Sequence, residues 1–517
     1  MYDLLFRHAL LIDGTGAPAV QGDLAVLGDH IAAVGQLPGA EAEVEMDLSG
    51  KALAPGFIDV HVHSELEMLA GRHTAGVQMG VTTELICPDG MSFAPLPPPR
   101  LREYRRYLRA LYGDDDAGWA GGSFAEYLAQ FPGRIRNNIL PQAPHGAIRF
   151  AVCGWKADPA TDAEIAAMGA LVRECMEAGA TGLNLGLEYL PAAHADRREL
   201  MALARIVAEY GGLYAAHIRS YAEGVREEAL AETFAVAAEA NIRVHISHFA
   251  GTPRIYASAE AAHARGIDIT WEAYPYAAGC TMLAYALPPA ALQASIDQLL
   301  ADLRTPALRA AARPALERRF PPGSPAYFGG LTLPQNRWME GLPLREAAAR
   351  SGKDFTTFCC DLLAEEELAP LLILPWPESA EENEARLRHT LTHPLHMVGT
   401  DGIYVGGRAH PRAWGSYPRL LGRYVREHQW LSLEDAVRRM TGFPAARFGL
   451  RDRGLLRPGM AADLVVFDPQ TVSDRGAYED PRQAPVGIEQ VYVNGVPVVR
   501  DGALTGDRPG RVLRMQR

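Results

Sequence analysis

The chain lacks a disulfide pattern, a long apolar run and an excess of positive charge, and each absence removes a class of function. Six cysteines in 517 residues, Cys87, Cys153, Cys175, Cys280, Cys359 and Cys360, show none of the spacing of a disulfide framework. Adjacent Cys359 and Cys360 cannot readily bridge to each other, so reduced thiols in a cytoplasmic protein are expected. No run of about 18 apolar residues occurs, and the start, Met1 to Leu5, has no basic region ahead of an apolar core; neither membrane insertion nor export is expected. A formal net charge of −12 leaves no basic stripe to hold nucleic acid. A small-molecule substrate is the more natural partner. Tandem repeats are absent, and the only low-complexity tract is Pro97-Pro98-Pro99.

What is present falls into two patterns. Residues 4–12 and 22–35 read as short strands, with turn signals at Asp13-Gly14 and Gly28-Asp29 and nothing helical before Pro55. From residue 55 onward, strand-like runs at 56–63, 80–87, 137–142, 181–187, 212–218, 242–249, 268–276 and 396–401 alternate with helical stretches such as 163–179 and 221–240. Eight such repeats predict an α/β fold, a (β/α)₈ TIM barrel over 55–454. The long separation of the seventh and eighth runs predicts an inserted subdomain at about 283–390. Residues 430–450 read as helical. Leu464-Val465-Val466-Phe467 and Val491-Tyr492-Val493 then restore β character, with a hairpin signal at Asn494-Gly495. Each terminal β segment is too short to bury a core alone, so residues 1–54 together with 455–517 are expected to form one small β domain.

The chemistry begins at His61 and His63, which close the run Gly56-Phe57-Ile58-Asp59-Val60-His61-Val62-His63. Residues two apart in a strand point to one face, so the two imidazoles project together. Catalytic groups of a barrel gather at the C-terminal ends of its strands. Reading only those ends adds His217 from the fifth run, His248 from the sixth and Asp401 from the eighth. Four imidazoles and a carboxylate suit Zn²⁺, with Mn²⁺ or Co²⁺ as substitutes. His245 lies an odd number of positions from His248 and reads as structural. His8, His30, His194, His263, His389 and His428 read as surface residues.

These residues stand within a longer ordered series: Gly80-Val81-Thr82-Thr83, Gly182 through Tyr189 and Pro191, His217-Ile218-Arg219, Ser247-His248, Tyr274-Pro275-Tyr276, Gly399-Thr400-Asp401-Gly402, His410-Pro411-Arg412 and Pro458 through Leu464. Over nearly its whole length the chain resembles the metal hydrolases of the amidohydrolase superfamily, and within them the N-acyl-D-amino-acid deacylases (D-aminoacylases). The resemblance implies a metal-dependent barrel flanked by a β-sandwich made from both termini, holding one or two Zn²⁺ ions. It implies hydrolysis of an N-acyl D-amino acid, with homo-oligomers left open. Asp401 would act as base and then acid, Tyr274 would polarise the scissile carbonyl, and Arg412 would clamp the substrate carboxylate beside Tyr189 and Cys280, the last standing where a serine is frequent.

Two departures qualify that picture. The family's metal-binding cysteine after the second strand aligns with Asp89, and Cys87 lies two residues earlier. Glu188 ends the fourth run, where related enzymes carry a bridging carboxylate or carbamylated lysine, and no lysine is available there. Glu188 is therefore favoured as the bridging ligand, Asp89 second and Cys87 third. The second departure is Ala250, where relatives often place a lysine that helps to hold the substrate carboxylate. A cyclic-amide hydrolase of the dihydroorotase or hydantoinase kind would need the same metal and Asp401 but no carboxylate clamp. A non-catalytic binding protein would be expected to have lost ligands, and His61, His63, His217, His248 and Asp401 are all present.

Overall fold

The computed structural model describes residues 1–115 and 117–516. One nine-stranded sheet is assembled from both ends of the chain. Tyr2–Leu11 pairs with Val20–Leu27 on one side and with Ala42–Asp47 and Ala52–Pro55 on the other. The seam between the termini is antiparallel, from Leu464 opposite Pro55 to Phe467 opposite Ala52. Alternation along Leu464–Phe467 explains why both ends are needed. Leu464 and Val466 join a core with Phe6, Leu24 and Leu53, whereas Val465 and Phe467 face Phe57, Tyr417 and Met440 of the central unit. The sheet thus has two apolar faces, one closed on its own strands and one seated on the helices beneath. Asn494 and Gly495 both have positive φ, as a tight hairpin turn requires, and they join Ile488–Val493 to Val496–Arg500.

The central unit carries eight parallel strands: Phe57–Asp59, Val81–Ile86, Asn138–Pro141, Gly182–Gly186, Leu213–His217, Arg243–Ile246, Ile269–Ala273 and His396–Val398. The first three form one sheet. The short strand Ala143–Pro144, just past the third, pairs with the fourth, and pairing then runs unbroken from the fourth to the eighth. Beyond the eighth strand, Asp401 N–H donates to the His61 carbonyl at 2.8 Å and His63 N–H to the Gly402 carbonyl at 2.9 Å, tying the last strand to the first. Nearly every residue of these strands is buried, as expected where helices cover a parallel sheet. The helix Asp162–Glu177 illustrates how the sequence sets the alternation. The Thr161 hydroxyl accepts from Glu164 N–H, and the Glu164 carboxylate accepts from Thr161 N–H, a reciprocal cap that starts the helix leading into the fourth strand.

Two expected boundaries shift. The first strand ends at Asp59, not at His63, because the Asp59 carboxylate accepts from His61 N–H at 3.2 Å and Thr400 N–H at 2.9 Å in place of ladder partners. Between the seventh and eighth strands, where an insertion was expected from about 283, antiparallel pairing begins at Ala278, in a three-stranded sheet of Ala278–Met282, Leu371–Pro375 and Tyr327–Gly330. Helix Pro306–Arg319 packs on helix Phe355–Glu365 of the same stretch, whereas helix Ala380–Thr392 packs on the eighth parallel strand. No helix among the described residues is long and apolar enough to cross a membrane.

Candidate metal centre

Six of the seven sequence-predicted ligands, all but Glu188, converge just past the C-terminal ends of the parallel strands. Three overlapping clusters form, each with its ligand atoms within 4.8 Å of one another: His61 with His63 and Asp89, Asp89 with His217 and His248, and His61 with His248 and Asp401. Asp89 is the hub. One of its oxygens lies 3.6 Å from His61 Nε2 and 3.7 Å from His248 Nε2, the other 3.8 Å from His63 Nε2 and 3.7 Å from His217 Nδ1. Asp401 Oδ1 is 3.4 Å from His63 Nε2 and 3.7 Å from His61 Nε2.

The backbone is bent to achieve this. Asp89, His248 and Asp401 all adopt positive φ, at 52°, 33° and 49°, a region that non-glycine residues occupy at some cost. Local strain at three of six converging residues is what a ligand-organised site would produce.

Glu188, favoured from the sequence as the bridging carboxylate, stands outside all three clusters. It lies 3.2 Å from His217 Nε2 and forms an ion pair with Arg319 from the inserted segment. The fourth strand stops at Gly186, so Glu188 belongs to the turn beyond it and faces the insertion. Cys87 is also outside, its thiol 3.8 Å from a Glu65 oxygen and driven well up by burial.

Hydrogen bonds from behind fix which imidazole nitrogen faces the centre. His61 Nδ1–H donates to Glu272 Oε1 at 2.8 Å, leaving Nε2 without a partner. His63 Nδ1 lies 2.9 Å from the Tyr112 hydroxyl, which itself donates to Glu65, so His63 is the donor and its Nε2 also keeps a lone pair for the centre. The other Glu272 oxygen contacts His245, whose Nδ1 bonds Thr270 at 2.8 Å; His245 supports the site from behind. The sequence reading missed Glu272, Tyr112 and Glu65. A carboxylate at Glu272, inside the otherwise apolar or neutral strand Ile-Thr-Trp-Glu-Ala, is the signal that could have found the first.

Charge follows contact. Burial alone would raise Asp401, but the Arg412 guanidinium, 2.9 Å from its Oδ2, and the nearby His63 hold it down to about 2. Burial disfavours charge on His217, yet the Asp89 carboxylate pushes it up to about 9. The buried Asp89 is itself held well down by His61 and His217. Two atoms at the centre, His61 Nε2 and Asp89 Oδ1, are buried with no hydrogen-bond partner among the described residues. Orphaned lone pairs facing one another in a His₄Asp₂ set fit a divalent cation.

Arg412 is fully buried, its guanidinium carbon 4.3 Å from the centre of the Tyr274 ring. Among the described residues its Nε, Nη1 and Nη2 all lack a hydrogen-bond acceptor of good geometry, Asp401 being close but poorly aligned. Burial raises the Tyr274 phenol, which keeps its proton at neutral pH. Tyr189 bonds Thr281 at 2.9 Å, and the Cys280 thiol is pushed up to about 12 by burial. Tyr274, Tyr189, Cys280 and Glu188 line a cavity of about 910 Å³ that opens onto His63, Asp89, His217, His248 and Asp401.

The amidohydrolase family model matches residues 44–312 and 364–499. A D-aminoacylase from Alcaligenes xylosoxydans xylosoxydans is 37% identical, the match covering 99% of this chain and 97% of the relative. Among solved structures, one of D-aminoacylase has a TM-score of 0.82 at 34% identity and covers 99% of this chain and 100% of that one. An N-acyl-D-glutamate deacylase from Bordetella bronchiseptica, complexed with zinc and a phosphonate inhibitor that mimics the tetrahedral intermediate, has a TM-score of 0.80 at 33% identity over 99% of both chains.

Proposed function

The chain belongs to the amidohydrolase family, and we propose that it hydrolyses the amide bond of N-acyl-D-amino acids, releasing a D-amino acid and a carboxylate. The observation that carries this reading is the convergence of Asp89, Asp401 and four imidazoles, three of them (His63, His217 and His248) lining one cavity that also presents Tyr274, with full-length similarity to deacylases beside it. The hydrogen bonds that tie the eighth strand to the first support reading the parallel strands as a (β/α)₈ barrel over 55–454. The terminal sheet is read as the β-sandwich domain of 1–54 and 455–517.

His61, His63, His217, His248, Asp89 and Asp401 would hold the metal, Zn²⁺ by the donor set, with Asp89 rather than Glu188 as the bridging carboxylate. A bound Zn²⁺ supplies Lewis acidity and lowers the pKa of its water toward about 7. The residues do the rest. Asp401, ionised at neutral pH, takes the water's proton and returns it to the amide nitrogen, which must be protonated before the C–N bond breaks. Tyr274, still protonated, donates a hydrogen bond to the carbonyl oxygen as negative charge develops there. Arg412, with donors unfilled, offers the substrate carboxylate two parallel hydrogen bonds.

Parallel assays of N-acetyl D- and L-amino acids, each as free acid and as amide, test this. The D acid is expected to turn over at least about tenfold faster in kcat/KM than its amide, the worth of one charge-assisted contact. Equal turnover of acid and amide would instead favour a cyclic or neutral amide as substrate.

A further inference from the structure

His217 and His248 sit on neighbouring turns, and side chains tie those turns together where backbone pairing stops. Pairing between their strands ends with Ser247 N–H donating to the Ala216 carbonyl at 2.9 Å. Beyond that point the Tyr221 hydroxyl accepts from Ile218 N–H at 3.4 Å and donates to the Ser247 carbonyl at 2.7 Å. Ile218 follows one imidazole ligand and Ser247 precedes the other, so a single oxygen spans both turns. The Tyr221 ring packs on both imidazoles, its centre 4.8 Å from that of His217 and 4.9 Å from that of His248. Burial pushes its phenol well up, so the group keeps its proton and goes on donating.

A second tie runs through Arg226, where the helix Arg226–Ala240 begins. Its Nε, at 2.9 Å, and its Nη2 both donate to the Tyr221 carbonyl, and Nη1 donates to the Ala250 carbonyl at 3.0 Å. Every nitrogen of Arg226 is thus spent on the backbone of the two turns. Arg386, from the helix Ala380–Thr392 ahead of the eighth strand, donates from Nη2 to the same Ala250 carbonyl at 2.9 Å. Two guanidiniums on one acceptor repel each other, and both burial and the Arg386 charge disfavour the charged form of Arg226. So costly an arrangement is expected where it holds a strained element, and the element it holds is the turn at His248, whose φ is 33°. From the other side Glu272 grips the same turn, its carboxylate accepting from His248 N–H at 2.8 Å and its carbonyl from Phe249 N–H at 2.7 Å.

We propose that Tyr221 and Arg226, with Arg386 behind them, are positioning residues of the metal centre: they lock the His217 and His248 turns to each other and so set the spacing of those two imidazoles about Asp89. The inference rests on the metal reading and adds to it what fixes the geometry of this half of the centre.

Zn²⁺ affinity is measured by competition with a chelator for the unmodified protein, for Tyr221→Phe, which keeps the ring and loses the bridging oxygen, and for Arg226→Met, each variant checked for native circular dichroism. Affinity is expected to fall about 10- to 100-fold in both variants. With N-acetyl-D-methionine, kcat is expected to be low at limiting Zn²⁺ and to recover in excess Zn²⁺, with KM unchanged throughout. Unchanged affinity, or a raised KM that excess Zn²⁺ does not repair, would overturn the proposal, the second result making these residues substrate contacts instead. Arg226→Lys, whose single nitrogen cannot serve both carbonyls in the same way, is expected to lie between Met and the unmodified protein, and it carries the test if Arg226→Met does not fold. Amide hydrogen exchange of the metal-free protein reads the tie without metal or turnover. The segment 244–251 is expected to exchange about tenfold faster in Tyr221→Phe, the worth of one lost hydrogen bond. Equal exchange would contradict the tie, even if the unmodified chain bound no Zn²⁺ and the metal reading itself failed.

Discussion

At Asp401 a buried carboxylate is kept ionised by Arg412, 2.9 Å away, and its pKa near 2 makes it a weak base until that charge is shared. A substrate carboxylate that engages Arg412 would draw off part of that stabilisation and raise Asp401 toward the range where a base is effective. Substrate binding would thereby prepare the proton shuttle. Asp401→Asn is expected to keep the fold and to lower kcat by about a hundredfold or more, measured with saturating substrate. A near-normal kcat would remove Asp401 from the proton path. Asp89 and Glu188 divide the other roles by position. Asp89 sits within 3.8 Å of four imidazole nitrogens, whereas Glu188 is spent on Arg319. Asp89→Ala is therefore expected to lose more bound metal than Glu188→Ala in elemental analysis, and the reverse order would return the bridging role to Glu188.

Among the elements, the strands that carry the site were legible in the sequence, and the turns that follow them were not. The fifth strand was expected at 212–218 and runs Leu213–His217; the seventh was expected at 268–276 and runs Ile269–Ala273. Buried parallel strands announce themselves by continuous apolar runs. The place of Asp89 among the imidazoles depends on left-handed turns at Cys87 and Asp89 that no periodicity encodes, and the ion pair of Glu188 comes from a helix 131 residues away in sequence. Arg226 and Arg386 were invisible for the same reason. Their meeting is a tertiary fact. Glu272, on the seventh strand, binds the His61 ring and the His248 backbone at 2.8 Å each, so one carboxylate sets two ligands. Glu272→Gln preserves the shape but removes the negative charge behind the His61 ring and the carboxylate oxygen that faces His245, and metal affinity is expected to drop about 10- to 100-fold in competition with a chelator. Unchanged affinity would mean that packing alone orients the two rings.

On the scale of the whole molecule, the two β systems and the insertion each supply one requirement of the centre. The terminal sheet packs Val465 and Phe467 against the helices of the central unit, the ends of the parallel strands gather the imidazoles and carboxylates, and the stretch between the seventh and eighth strands brings Arg319 and Arg386 to the cavity wall. Burial of four imidazoles and two carboxylates in so small a space leaves lone pairs unmatched, and a cation is the group that would match them. The most direct measurement is therefore the rate of D-amino-acid release from an N-acetyl D-amino acid by protein stripped with a chelator, with metal content followed in the same sample as Zn²⁺ is restored. The account predicts no turnover in the verified metal-free protein and recovery in proportion to bound Zn²⁺. Full turnover without metal would contradict it.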